Sequence, residues 1–455
     1  MYISGNCLTQ RYKDIFIMII KNELNANSLI AAMRDFFLTV TDQRSSNRSI
    51  SLADALMCGF AMFSLKEKSL LSFEDNIEQY SPNLQTVYGI EKIPTDTNLR
   101  TMLDPISTEA LRPAFKIIFN RLQRSNLLNE FSYLNDHYLV SIDGTEFFSS
   151  NQIKCANCME RKYKDGTALY YHQFLGAAIV HPDKREVIPL VPEMIVKQDG
   201  QAKNDCERNA AQRFLNSFRK DHPKLKVIVI EDGLSSNAPH IKDLTKHNCR
   251  YILGAKPDDH KFLFAQVAEM KSHGKGSEFL IEQGDITHLF SFCNDLPLNE
   301  TNQGVRINFL EYCEINNKTN KKQHFTWVTD FNITQKNVYA LMRGGRARWK
   351  IENETFNTLK NQGYHFEHNF GHGYNNLCSI FALLMMLAFL VDQSLQISCN
   401  LFNEAMKKCK SRTNFWHIVR CYFVGHIFES MNEIYDAIVY GIQKQKPSIL
   451  YIKSG

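Results

Sequence analysis

Two aspartates each close a short run of apolar, β-branched residues and stand directly before a glycine: Asp143 in YLVSIDGTEFF and, 89 positions later, Asp232 in KVIVIEDG. An Asp-Gly pair alone is a turn signal, but carboxylates at matching strand ends lie where an open α/β sheet gathers its ligands. Placed close together, such groups repel unless a cation joins them. A third oxygen ligand would complete a site for two Mg²⁺ ions, able to activate a water or hydroxyl and to stabilise the leaving oxygen of a phosphodiester. RARWKIENETFNTLK, residues 346–360, offers two candidates, Glu352 and Glu354. On an α-helix Arg348 and Glu352 fall about 40° apart, whereas Glu354 is about 200° from Glu352, so only one glutamate can face the aspartates. Glu352 is preferred because it shares its face with Arg348.

Around that glutamate lie Lys336, Arg343, Arg346, Arg348, Lys350 and Lys360, with Trp349 among them. A solvated helix face would also look like this, but a polyanionic substrate needs positive charge beside the carboxylates to hold its phosphates. Arg348 and Lys360 are the favoured phosphate contacts. Two further clusters could bind metal. Cys155 and Cys158 form a C-x-x-C in KCANCMERK, but zinc requires four ligands and no second pair follows at a finger spacing. His172 or His181 could in principle complete a site; a reduced structural pair is the expectation, not structural Zn²⁺. His365, His368 and His372 flank Glu367 in YHFEHNFGHG, where Gly371 and Gly373 imply an irregular turn. Contact with a nucleic-acid backbone, or a supporting role near Glu352, fits that segment better than a separate metal site.

The elements that must position these residues follow from periodicity. Up to about residue 130 the pattern is helical, as in SLADALMCGFAMFSL (51–65) and EALRPAFKIIFNRLQRSNLL (109–128). Arg44, Arg48, Arg100, Arg112, Arg121 and Arg124 are available there to face phosphates. From 138 the order is three strands (138–143, 169–181, 186–196), helix (206–222), strand (226–233), helix (236–247) and strand (249–256), which implies a mixed sheet with helices on its faces. ITHLFSFC, RINFLEYCEI and HFTWVTDF make the text β-like from 262 to about 330, after which helical patterns dominate. The expected divisions are 1–130 helical and DNA-binding, 131–261 first part of the core, 262–332 β-rich insertion, 333–395 second part with the Glu352 helix, and 396–455 helical.

At 44% apolar and 22% charged residues the chain is a folded globular protein, and a net charge of +5 permits a nucleic-acid partner without requiring one. Its twelve cysteines are mostly scattered among apolar neighbours, as reduced cysteines are, which favours a cytoplasmic setting. The N-terminal stretch MYISGNCLTQRYKDIFIMIIKNEL lacks the cleavage pattern of a signal peptide. LCSIFALLMMLAFLV (377–391) falls short of the roughly 20 residues that cross a bilayer, so it reads as a buried core helix rather than a membrane span.

SIDGTEFF, VIEDGLSSNAPHI and RWKIENETFNTLK resemble, in that order, the three acidic motifs of DDE transposases from bacterial insertion sequences. GAAIVHPDKREVIPL, DCERNAA and GYHFEHNFGHG extend the likeness across roughly 138–375. More narrowly, they resemble the group whose third motif carries tyrosine, arginine, glutamate and lysine at fixed spacing; here the tyrosine position is Gly345 and the lysine position Leu359, one before Lys360. The resemblance implies a ribonuclease-H-like α/β fold with a β-rich insertion and an all-helical N-terminal domain. It implies Asp143, Asp232 and Glu352 as catalytic, metal-binding residues for Mg²⁺, with Mn²⁺ able to substitute. Arg346, Arg348, Trp349, Lys360 and His368 would contact DNA. Cleavage at terminal inverted repeats and joining to target DNA would follow, with synapsis of two ends making a homodimer plausible and DNA binding taking the protein to the nucleoid. A hydrolytic nuclease on the same fold, or a DNA-binding derivative without catalysis, are the alternatives.

Overall fold

The computed structural model describes residues 23–45, 48–197 and 206–442; the N-terminal stretch 1–22 considered above lies outside them. Its framework is one mixed sheet, with strands β1 (Ser132–Tyr133), β2 (His137–Ser150), β3 (Met159–Lys162), β4 (Ala168–Val180), β5 (Ile188–Pro189), β6 (Glu193–Ile195), β7 (Val227–Glu231), β8 (Arg250–Gly254), β9 (Ser277–Gln283), β10 (Ile286–Pro297), β11 (Arg306–Asn316) and β12 (Lys322–Thr329). The main path runs β3-β4-β2-β7-β8-β12-β11-β10-β9. Among the described residues only β2–β7 and β7–β8 pair in parallel. These centre on β7, which is buried along its whole length, as a strand covered on both faces must be.

The 138–143 run is longer than its sequence suggested. β2 passes straight through Asp143-Gly144 and continues to Ser150, paired with β4 on both sides of a bulge between Glu146 and Phe148. Asp-Gly is therefore no turn here. What ends near Asp143 is the parallel pairing with β7, whose last register pair is Ser141↔Ile230. The 186–196 segment forms only the two short strands β5 and β6. The strands expected beyond residue 262 are present as β10 to β12, but that stretch opens with an α-helix, Lys261–Ser272, and gains the strand β9. This β-rich part extends the main sheet, because β12 pairs antiparallel with β8.

The helices on the N-terminal side include α1 (Ala26–Thr39), α2 (Leu52–Ser64) and α3 (Arg112–Arg124). Ser51 begins α2 by accepting a hydrogen bond at its Oγ from Asp54 N–H at 2.9 Å, satisfying a helix-end donor. Further on come α4 (Glu207–Asp221), α5 (Ala238–Lys246) and α6 (Val338–Arg346). The apolar segment at 377 becomes α7 (Leu377–Ser398), 22 residues rather than fifteen and long enough by length and composition to span a bilayer. Its most apolar stretch is wholly buried, packed against α2, α3 and β5.

One charge on α7 shows how closed this core is. Asp392 meets Lys66 Nζ at 2.6 Å, with the side chains 4% and 0% exposed, and also accepts from Tyr364 Oη. The ammonium lies 3.8 Å from the Trp416 ring centroid. Burial pulls the Lys66 amine down to about 8 while Asp392 opposes the change. Removing one partner of such a pair leaves the other charged or forces it neutral. Lys66→Met is expected to destabilise the fold by about 3–5 kcal/mol in urea unfolding, and a Lys66→Met/Asp392→Leu pair to recover most of that. A loss below about 1 kcal/mol in the single variant would contradict this assignment.

Candidate active site

The register between β2 and β7 decides where the two aspartates lie. Paired positions from Tyr138↔Val227 to Ser141↔Ile230 carry an offset of 89 residues, the same offset that separates Asp143 from Asp232. The two therefore leave adjacent parallel strands at the same level. Asp143 pairs on its other side with Gly176 of β4. A Cβ at 176 would come within 2.8 Å of the Phe356 ring, so the glycine admits the segment carrying the glutamates. Ser141 Oγ donates to the Arg348 carbonyl at 2.9 Å and ties that segment directly to β2.

The segment is not the single α-helix its spacing implied. Helix α6 ends at Arg346, and Ile351–Phe356 then forms a π-helical turn before a short α-helix, Asn357–Asn361; π-turns inside helices concentrate at functional sites. The opposition of the two glutamates survives. Arg348 Nη1 lies 2.8 Å from Glu352 Oε1 and 3.7 Å from Asp143 Oδ2, while Glu354 turns to Arg185 at 3.5 Å. Arg348 bridges one expected carboxylate to the next.

Burial, then the neighbouring Glu352 charge, raise the Asp143 carboxyl to about 7, with Arg348 opposing. Asp232 accepts from Leu234 N–H at 3.0 Å and shares with Asp143 a cavity of about 470 Å³. That cavity also holds Glu207, Glu231, Gln173 and His240. Glu207 Oε1 sits over Gly144 and accepts from Gln173 Nε2 at 2.7 Å; burial and then the nearby Asp232 charge raise its carboxyl, with the Gln173 bond opposing. Glu231 is buried 2.6 Å from His240 Nε2; burial disfavours the imidazolium, but Glu231 outweighs it and the His240 value rises. Glu207 belongs to the DCERNAA motif, yet its place beside the aspartates had no sequence signal, because it starts a helix rather than ending a strand.

These residues suit a hard divalent cation. The donors are all oxygens, and like charges press Asp143 toward its neutral form, a strain that a cation relieves. Asp143, Asp232 and Glu352 do not bring one oxygen each within 4.8 Å of one another. Among the described residues, one group of three or more His, Cys, Asp or Glu side chains brings its ligand atoms within 4.8 Å of one another: Cys155, Cys158, His172 and His372. The cysteine pair is thus not half a site, and His372 packs against it rather than beside Glu352. His181 is not part of the group.

The expected DNA contacts fare unevenly. Trp349 is 48% exposed with the Arg348 guanidinium 4.4 Å from its ring centroid, and His368 is exposed. Lys360 pairs with Glu367 at 2.8 Å. Arg346 is held by Glu314 and by Gln323 at 3.3 Å, over the Phe325 ring, so it serves the β-rich part. Lys350 donates to the Lys184 carbonyl at 2.6 Å. The six N-terminal arginines all have intramolecular partners: Arg44 and Arg48 on Asp42, Arg100 on Asp96, Arg112 on Asp221, Arg121 and Arg124 on backbone carbonyls. Gly345 is dictated by Trp327, whose indole lies 2.6 Å from where a Cβ would be.

With this geometry in view, comparison of the sequence with known families gives a match over residues 135–390 to the family described as Transposase DDE domain. The match covers more than half of the chain and includes Asp143, Asp232 and Glu352. The chain belongs to that family and is a transposase in the general sense. No curated protein matches it.

The raised Asp143 carboxyl has a consequence in Mg²⁺-free protein. Its native value of about 7 lies above the ordinary 3.8, so its contribution to stability is complete below about pH 3.8 and is lost as pH rises through about 7. Asp143→Asn removes that loss. In thermal melts without added Mg²⁺ the variant should gain on wild type between pH 5 and pH 8; an equal offset at both pH values would contradict the assignment.

Proposed function

We propose that the protein is a metal-dependent DNA transposase that cleaves at the ends of its element and joins the resulting 3′-hydroxyl to target DNA. The observation carrying this reading is the Asp143–Arg348–Glu352 contact, set beside Asp232 by the β2/β7 register, inside the region matching the transposase family. Asp143, Asp232 and Glu352 would hold Mg²⁺, which when bound lowers the pKa of the attacking water or hydroxyl and stabilises the leaving oxygen.

The side chains divide the remaining tasks. Arg348 keeps Glu352 turned toward Asp143 and lends positive charge where a scissile phosphate must approach. Trp349, half exposed with the Arg348 guanidinium against its ring, is suited to stack on a base exposed at a cut end. Lys360 and His368 lie farther along the same segment, able to contact backbone phosphates once Lys360 exchanges Glu367 for DNA. In the first reaction water attacks a phosphodiester and leaves a 3′-hydroxyl. In the second that hydroxyl loses its proton and attacks a target phosphodiester, forming one O–P bond as another breaks.

The test is cleavage and joining of DNA bearing the sequences that flank the coding region, with Mg²⁺ present. Asp143→Asn, Asp232→Asn and Glu352→Gln are each expected to leave below about 1% of wild-type activity, the scale of losing a transition-state stabiliser, while binding the same DNA. Glu354→Gln, directed at Arg185, should remain close to wild type. Cutting without joining would support a hydrolytic nuclease. Binding without either reaction in the wild type would overturn the catalytic reading.

A further inference from the structure

A second constellation lies apart from the carboxylates. Cys155 and Cys158 stand in the turn between β2 and β3, His172 is on β4, and His372 comes from the loop between the π-helical segment and α7. Their ligand atoms meet closely. Sγ of Cys155 and Cys158 are 3.8 Å apart; His172 Nε2 is 3.4 Å from Cys155 Sγ and 3.3 Å from Cys158 Sγ; His372 Nε2 is 3.2 Å from Cys158 Sγ and 3.1 Å from His172 Nε2. A tetrahedron with Zn–S of about 2.3 Å and Zn–N of about 2.05 Å has S–S, S–N and N–N edges of about 3.8, 3.6 and 3.3 Å. The measured edges follow that order and differ from those lengths by a few tenths of an ångström.

Hydrogen bonding alone does not account for such an arrangement. His172 Nε2 touches three of the other groups at once, yet a ring nitrogen has one N–H or one lone pair to offer. The sulfurs are far outside the roughly 2.05 Å of a disulfide. Three of the four residues are buried, where polar groups without partners are costly. The surroundings also prepare the ligands. His372 Nδ1 is 3.1 Å from the Gly373 carbonyl, which places its proton there and leaves Nε2 free to coordinate. Asp104, from the N-terminal helices, accepts backbone N–H bonds from Tyr374, Asn375, Asn376 and Leu377 and so fixes the loop just after His372. Asn157, inside the Cys-x-x-Cys turn, donates to the Asn375 carbonyl at 2.8 Å.

We propose that Cys155, Cys158, His172 and His372 form a structural zinc site. Two thiolates and two imidazoles are the donors that select Zn²⁺ over the oxygen-preferring Mg²⁺, and four protein ligands close the coordination sphere, which marks a structural rather than a catalytic ion. Binding releases two thiol protons and leaves the ion and its ligands neutral overall. The site joins the hairpin that carries Asp143 to the loop that follows Glu352. His172 and Gln173 are successive residues of β4 and so face opposite sides of the sheet: one supports the zinc cluster and the other holds Glu207 in the carboxylate cavity.

Elemental analysis of full-length protein purified without chelators should give about one zinc per chain, the stoichiometry of one closed four-ligand site. Replacing zinc with Co²⁺ should give the intense visible absorption of a tetrahedral thiolate site. Cys158→Ser and His372→Asn should lose both signals, whereas Asp143→Asn keeps both, which separates this ion from any held by the carboxylates. If the single variants fail to fold, the wild-type zinc content and cobalt spectrum decide the matter alone. Wild-type protein lacking zinc and giving no tetrahedral spectrum with Co²⁺ would overturn the proposal, as would full zinc content in a folded Cys155→Ser/Cys158→Ser protein.

Discussion

The site depends on Arg348, which reaches both Asp143 and Glu352 where the two carboxylates crowd each other. Two carboxylates do not stay close unless something holds them, and burial, then the Glu352 charge, raise the Asp143 carboxyl. Three restraints act together. The parallel register sets Asp143 and Asp232 at one level, Phe356 over Gly176 and the Ser141–Arg348 bond seat the glutamate segment on β2 and β4, and Arg348 reaches both carboxylates. A bound cation would relieve such crowding.

The β-rich strands take part in this positioning rather than standing apart as an appended unit. They continue the sheet through β12, place Trp327 where it demands a glycine at 345, and hold Arg346 through Glu314. Gly345 is thus a packing choice: the indole of Trp327 takes up space that a side chain at 345 would need. On the other side, α7 carries the sheet and the N-terminal helices on one buried axis, and Asp104 links those helices to the loop beside His372.

Much of this was legible in the sequence because the governing signals are local. Apolar β-branched runs mark β7 and β8, helical spacing marks α2 and α4, and the opposition of Glu352 and Glu354 follows from rotation along a helix, even though that helix proved to contain a π-turn. Where local signals mislead, tertiary contacts override them. Asp143-Gly144 has the composition of a turn but lies inside a long strand because β4 pairs along its whole length. Lys360 and Arg346 read as free cations and are paired. Glu207 and the meeting of His372 with Cys155 and Cys158 depend on segments more than 60 and 200 residues apart in the chain, brought together only by the sheet and the loop before α7. No periodicity encodes that.

The proposed metal site draws on Asp143, Asp232 and Glu352 together. Loading the protein with Fe²⁺ in place of Mg²⁺ and starting hydroxyl-radical chemistry with ascorbate and peroxide cuts the backbone close to the bound ion. The account predicts cuts near residues 143, 232 and 352 together, all suppressed by excess Mg²⁺ and absent from Asp143→Asn. Cuts near only one of these segments, or a pattern unaffected by Mg²⁺, would contradict it.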